Sequence, residues 1–229
     1  LGTGTLRLAG GALDSYVATG SLTGNNPIVV SGSFGFIGTQ ALNLGTGGVT
    51  LSGGSQTITV VANTLTAPGV IGDGGSGFGL TKTGSGTLLL SGANTYTGST
   101  AVSAGTLAVS NATGLGTTAG GVSVANGATL DLQGVTVGAE ALNLNGGTLT
   151  STTGTSSLSG TVTLGANSTV SIDTGAQLTL SGVVSGVGFG LTKTGTGTLV
   201  LSGTNTYDGG TTANAGTLTA GASSTVFGS

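Results

Sequence analysis

Residues 77–107 read GFGLTKTGSGTLLLSGANTYTGSTAVSAGTL, and residues 188–218 read GFGLTKTGTGTLVLSGTNTYDGGTTANAGTL. Twenty-three of the 31 positions agree without a gap, with Gly188 answering to Gly77 and Leu218 to Leu107. A partial copy near 2–8 reads Gly2-Thr-Gly-Thr-Leu-Arg-Leu8. Long-range self-similarity of this kind denotes stacked units rather than a globule around one site. Inside each copy, apolar residues stand two apart, as Leu88/Leu90 and Leu199/Leu201. The same pairing recurs at Leu42/Leu44, Ile58/Val60, Val122/Val124, Leu142/Leu144 and Val170/Ile172. Period two predicts strands with one buried face, and the Gly, Asn or Ser after almost every pair keeps them short.

A longer period lies above the first. Val102, Val122, Leu142 and Val162 are evenly spaced, and Leu88, Leu107, Leu130 and Leu149 follow nearly the same interval. Two interleaved sets with one period predict a coil of about 20 residues carrying two or three strands, stacked in register. The fold class expected is all-β, a right-handed parallel β-helix, with 1–229 as a single β-solenoid. The worst fit is residues 14–37, where Asn25-Asn26-Pro27 suggests an irregular or looped-out coil. A meander sandwich is the competing fold. Its core normally uses aromatic anchors, and this chain has three Tyr, five Phe and no Trp.

Composition agrees. Fifty glycines with abundant Thr and Val favour strands and turns over helices. Only 4% of residues are charged, unlike a disordered chain. Three basic residues against six acids exclude an electrostatic nucleic-acid binder. No cysteine means no disulfide framework and no thiolate chemistry.

The repeated segment resembles the autotransporter-associated β-strand repeat, also called the passenger-associated transport repeat. The residues that carry the likeness are Leu80, Lys82, Gly84, Gly86, Leu88 and Leu90, then Asn94, Tyr96 and Gly98, then Leu107. They recur as Leu191, Lys193, Gly195, Gly197, Leu199, Leu201, Asn205, Tyr207, Gly209 and Leu218. The clear likeness covers about a quarter of the chain. It implies a β-helix in the passenger of a type V secreted bacterial surface protein, with an outer-membrane β-barrel elsewhere in the parent chain. One departure stands out: the position of Val102 is Ala213 in the second copy, which predicts a thinner coil or a changed register there.

Physical roles for these residues follow from their chemistry. The glycines serve positive φ or close coil contact. Asn94 and Asn205 suit an Asx turn at a corner, with an axial amide ladder as the alternative. Tyr96 and Tyr207 are expected to pack a ring at the corner and leave the hydroxyl in water. Lys82 and Lys193 are expected on a solvated face.

Reactive groups are few. There is no His, so His-based triads are excluded. Among the acids, Asp131 and Asp173 lie about two turns apart and could share a face, which is thin support for a glycosidase pair. Gly72–Gly79 has the glycines of a calcium roll with one acid, Asp73, and reads as a flexible turn. Thr-x-Thr pairs fall at irregular spacing, with a long gap between Thr64/Thr66 and Thr148/Thr150, and predict no continuous threonine array.

The expectation is therefore a structural passenger or stalk segment, not an enzyme, without cofactor, metal or catalytic residues. It belongs at the bacterial cell surface or outside it, in support of display, adhesion or cell–cell association. A host-cell or cell-surface ligand and self-association are the partner classes. A self-assembling fibre and a carbohydrate-binding or carbohydrate-active β-helix are the alternative readings. The start at Leu1, without a basic-then-apolar leader, is read as a piece of a longer protein.

Overall fold

The structure is a computed structural model that describes residues 2, 4–18, 20–221 and 227. Thr3 of the partial copy lies outside them. All regular elements among the described residues are strands, 28 of them, two to five residues long. The ladders between these strands are parallel, and successive coils lie roughly 22 residues apart, so the chain is a parallel β-solenoid. The chain forms two compact units, Leu1–Gly120 and Gly121–Ser229.

In the first unit each coil contributes up to three strands, one to each of three faces. The first face stacks Leu6–Ala9, Ile28–Gly32, Val49–Leu51 and Ile71–Gly72. The second stacks Ala12–Leu13, Phe34–Phe36, Gln56–Val60, Leu80–Thr83 and Thr100–Val102. The third stacks Gly20–Ser21, Leu42–Asn43, Thr64–Ala67, Thr87–Leu90 and Thr106–Val109. Residues 14–37 thus run through all three faces and are not an excursion. Asn25 takes φ +48 and makes the turn ahead of Pro27.

The second unit repeats the plan. Its first face holds Val122–Ala125, Leu142–Asn145, Val162–Ala166 and Val184–Ser185. The second holds Thr129–Leu132, Thr148–Ser151, Ser168–Ile172, Leu191–Thr194 and Thr211–Ala213. The third holds Thr136–Val137, Thr155–Leu158, Gln177–Leu180, Thr198–Leu201 and Thr217–Ala220.

Alternation puts every second side chain inside, and register stacks like on like. Ile28, Val49 and Ile71 form one apolar column, and Leu42, Leu65, Leu88 and Leu107 form another. In the second unit Val122, Leu142, Val162 and Val184 stack, as do Leu158, Leu180 and Leu201. All of these are buried. The length of chain between stacked partners is not constant. It is shorter from Leu88 to Leu107 than from Gln56 to Leu80. The corners absorb the difference, so the average coil runs slightly longer than the sequence period predicts.

Candidate functional site

Each full repeat copy places its Leu-Thr-Lys-Thr strand on the second face of its unit and the following Thr-Leu-x-Leu strand on the third. The next coil repeats that placement with Thr100–Val102 and Thr106–Val109, or Thr211–Ala213 and Thr217–Ala220. Of the motif leucines, Leu80, Leu88, Leu90, Leu107, Leu191, Leu199 and Leu201 are buried, and Leu218 is half-buried.

The lysines are inside, not on a solvated face. Lys82 and Lys193 are 1% and 0% exposed. Lys82 stands in the inward column Phe34–Ile58–Lys82–Val102, and Lys193 in Leu130–Leu149–Val170–Lys193. Lys82 Nζ donates to the carbonyls of Thr83 and Gly84, both at 2.8 Å, and to Ala104 of the next coil at 3.1 Å. Lys193 Nζ repeats the pattern with Thr194 (2.6 Å), Gly195 (2.7 Å) and Ala215 (3.2 Å). An ammonium has three protons and no acceptor, so three carbonyls satisfy it fully. Burial draws the Lys82 pKa down to about 8, which still leaves it protonated at neutral pH, and it draws Lys193 down likewise. The register does not change at the Val102/Ala213 position: Lys82 pairs with Val102 and Lys193 with Ala213. Ala213 is exposed where Val102 is buried.

The asparagines bond along the stack rather than closing an Asx turn. Asn94 Oδ1 accepts the Ile71 N–H at 2.8 Å, one coil back, and Nδ2 donates to the Gly114 carbonyl at 2.6 Å, one coil ahead. Asn205 Oδ1 takes the Val184 N–H at 2.9 Å in the same way. Here a side-chain carbonyl replaces the backbone carbonyl that the next strand of the first face would have supplied. Thr95 and Tyr96 N–H then donate to the Ile71 carbonyl at 2.8 and 3.2 Å. The tyrosine hydroxyls are dry, not wet. Both rings are fully buried. Tyr96 OH lies 2.7 Å from Thr100 Oγ1, and Tyr207 OH bonds Thr211 Oγ1. Gly86, Gly98, Gly197 and Gly209 each back onto a neighbouring coil so closely that a Cβ would fall within 2.7 Å of its atoms.

The carboxylates do not assemble an acid pair. Asp131 is buried and accepts from Gln133 Nε2 (2.8 Å) and Thr152 Oγ1 (2.9 Å). Its register partner two coils on is Ser171, and Asp173 lies two positions beyond that, which puts the two acids roughly 12 Å apart. Asp73 orders the Gly72–Gly79 turn. Burial works against its charge, but the Thr97 hydroxyl (2.7 Å) and the Gly75 (3.0 Å) and Phe78 (2.9 Å) N–H groups outweigh it and hold the pKa well below the usual range. In the second copy Asp208 takes the Thr97 position and accepts the Gly188 N–H. Among the described residues, no three His, Cys, Asp or Glu gather as metal ligands. The interior void of the first unit is about 10 Å³, room for one water at most.

Sequence reasoning missed two features. On the second face of the second unit, Thr129, Thr148, Thr169, Thr192 and Thr212 fall in one unbroken column. Register aligns threonines from different sequence contexts, which spacing of Thr-x-Thr pairs could not reveal. The column beside it is mixed: Asp131, Thr150, Ser171 and Thr194, with the Thr150 hydroxyl spent on the Ser171 carbonyl at 2.7 Å.

The second is Glu140, 3% exposed, which accepts the Gly121 N–H while Oε1 has no partner. Burial pushes its pKa up to about 7. A folded-state pKa above the unfolded value gives stability that is complete at low pH and lost as pH rises through about 7. The chain is therefore expected to lose about 2 to 3 kcal/mol between pH 5 and pH 8. Urea midpoints at the two pH values measure it, and Glu140→Gln should flatten the difference.

The family model described as Passenger-associated-transport-repeat matches residues 80–109 and 191–220. Among curated proteins, the chain is similar to the Adhesin BmaC autotransporter of Brucella suis biovar 1 (strain 1330), 39% identical over 142 residues. The match takes in 60% of this chain and 4% of that protein, so the chain spans a small part of its relative's length. No solved structure matches. With the repeat matched twice, each time on two successive coils of a parallel solenoid, the chain carries autotransporter passenger repeats, and its place is the bacterial cell surface or outside it.

Proposed function

We propose that this segment is a structural, non-catalytic stalk that holds other parts of its parent protein away from the cell and supports adhesion or cell–cell association. The observation that carries this reading is where the repeated polar side chains point. Lys82, Asn94 and Tyr96 are buried and bonded to the chain itself, as are Lys193, Asn205 and Tyr207. These recurring side chains are spent on joining coils. The relative's description as an adhesin supports the adhesive role for the parent protein. An outer-membrane β-barrel elsewhere in the parent chain would anchor it.

The test joins the chain to an autotransporter barrel in a Gram-negative cell. The segment should reach the surface as a protease-resistant body that outside antibody detects, and it should raise adhesion only with a distal binding domain attached. Hydrolysis of a cell-surface polysaccharide by the purified chain would overturn the reading. Side-by-side self-association is a second reading, favoured by the neighbouring corner residues Ile37 and Val61, 49% and 50% exposed. Sedimentation over a concentration series, with Ile37→Ser/Val61→Ser as control, decides it.

A further inference from the structure

We infer that the two successive coils spanned by each repeat form one cooperative unit, locked by the buried lysine and asparagine, which opens and closes as a whole. In the first unit of the chain this body covers residues 80–117. Five hydrogen bonds cross or brace its internal joint besides the strand ladders. Lys82 Nζ donates to Ala104 O (3.1 Å), Asn94 Nδ2 to Gly114 O (2.6 Å), and Thr117 N–H to Tyr96 O (2.9 Å). Tyr96 OH meets Thr100 Oγ1 (2.7 Å), and that hydroxyl reaches on to the Leu115 carbonyl at 3.5 Å.

The buried ammonium among these bonds differs in kind from the bonds between other coils of the unit. Between the coils at 28–47 and 49–69, the side-chain bonds that join the parallel ladders include a part-buried Asn63 Nδ2 to Gly38 O (2.7 Å) and an exposed Thr57 N–H to Ser33 Oγ (2.8 Å), with no buried charge among them, and one coil earlier the Asn25 bond to Thr46 N–H is exposed. Water can replace an exposed bond when two coils part. It cannot easily replace the third bond of a buried ammonium or of a buried amide, because parting strips a partner from a group still surrounded by apolar side chains. Asn94 also accepts the Ile71 N–H across the joint before this one, but the ammonium of Lys82 bridges to Ala104 alone, so opening at the joint carries the added cost of stripping that ammonium. Lys193 repeats the geometry with Ala215 at the equivalent position of the second copy. The matched repeat spans 80–109, the second- and third-face strands of both coils, so it falls within the locked body, which extends beyond it to Gly114 and Thr117. The inference concerns the fold and holds whatever the parent protein binds.

Native-state hydrogen exchange in rising sub-denaturing urea tests it on the intact chain. Amides on both sides of the joint, at Leu80, Ser103, Thr106 and Thr117, should merge into one opening isotherm, distinct from that of Ile28 and Val49. In Lys82→Met the Ser103 and Thr106 amides should exchange about 100-fold faster, with Ile28 and Val49 changed less than about threefold. Separate isotherms for Leu80 and Ser103 in the unaltered chain would overturn the inference without any variant. So would a Lys82→Met effect that is absent, or spread equally over the unit.

Discussion

Leu88→Asp combined with Leu199→Asp is expected to unfold both units and to strip the passenger from the cell surface. Leu88 is 1% exposed between Leu65 and Leu107, and Leu199 is 0% exposed between Leu178 and Leu218. Removing the aliphatic side chain alone costs about 2 to 5 kcal/mol at each site. The carboxylate adds a desolvation cost that no cation offsets, since the protons of Lys82 and Lys193 are already taken by carbonyls. The sum at one site exceeds about 5 kcal/mol, comparable with the whole stability of a domain. Circular dichroism of the purified chain reads the folding loss, and antibody labelling of intact cells reads delivery. Thr87→Asp, on the outward side of the same strand, should change stability by less than about 1 kcal/mol. Undiminished delivery of the double variant would show that passage to the surface does not draw on coil formation.

Gly84→Ala is expected to cost about 3 kcal/mol or more, which a urea midpoint would register. Two effects add. Gly84 has φ +75, where a Cβ is strained, and that Cβ would stand 2.3 Å from the Val60 carbonyl oxygen of the coil below. The backbone must shift, and the Gly84 carbonyl that receives the Lys82 ammonium shifts with it. Gly195 is the same case, at φ +68 and 2.1 Å from the Ile172 carbonyl. Gly77→Ala separates the two effects: φ is +76, but nothing lies within 4 Å of the added methyl, so only the torsional cost of about 1 to 2 kcal/mol remains. Equal losses at Gly84 and Gly77 would refute the role assigned to close coil contact.

The alternation of Leu88 and Leu90 is enough to read strands, and the spacing of Val122, Leu142 and Val162 is enough to read coils, because both depend on residues near one another in a repeating pattern. The position of Lys82 is also within reach. Leu80 and Lys82 are two apart, so if Leu80 faces inward, Lys82 must as well. Its charge suggests water, which misleads here because the pattern is the stronger constraint. What cannot be read is why burial is tolerable: the three carbonyls include Ala104, 22 residues away and one coil on. Asn94 shows the same limit. Its partners Ile71 and Gly114 each stand one coil off, so local turn chemistry points to the wrong bond. Glu140 gives no signal at all, since a single acid before a strand looks exposed until the neighbouring coil covers it.

Parallel stacking also decides how either unit yields to tension. The ladders between coils run along the stacking direction, so a pull that peels the outermost coil breaks its bonds in succession, not together. Each coil set free releases roughly 22 residues, about 70 Å of slack chain. Under load the segment would yield in a series of small concessions that absorb work, and refolding could recover each one when the pull relaxes. Where the peeling front reaches Lys82 and Asn94, the next concession must release two coils at once. The repeat then acts as a mechanical stop within an extensible strap.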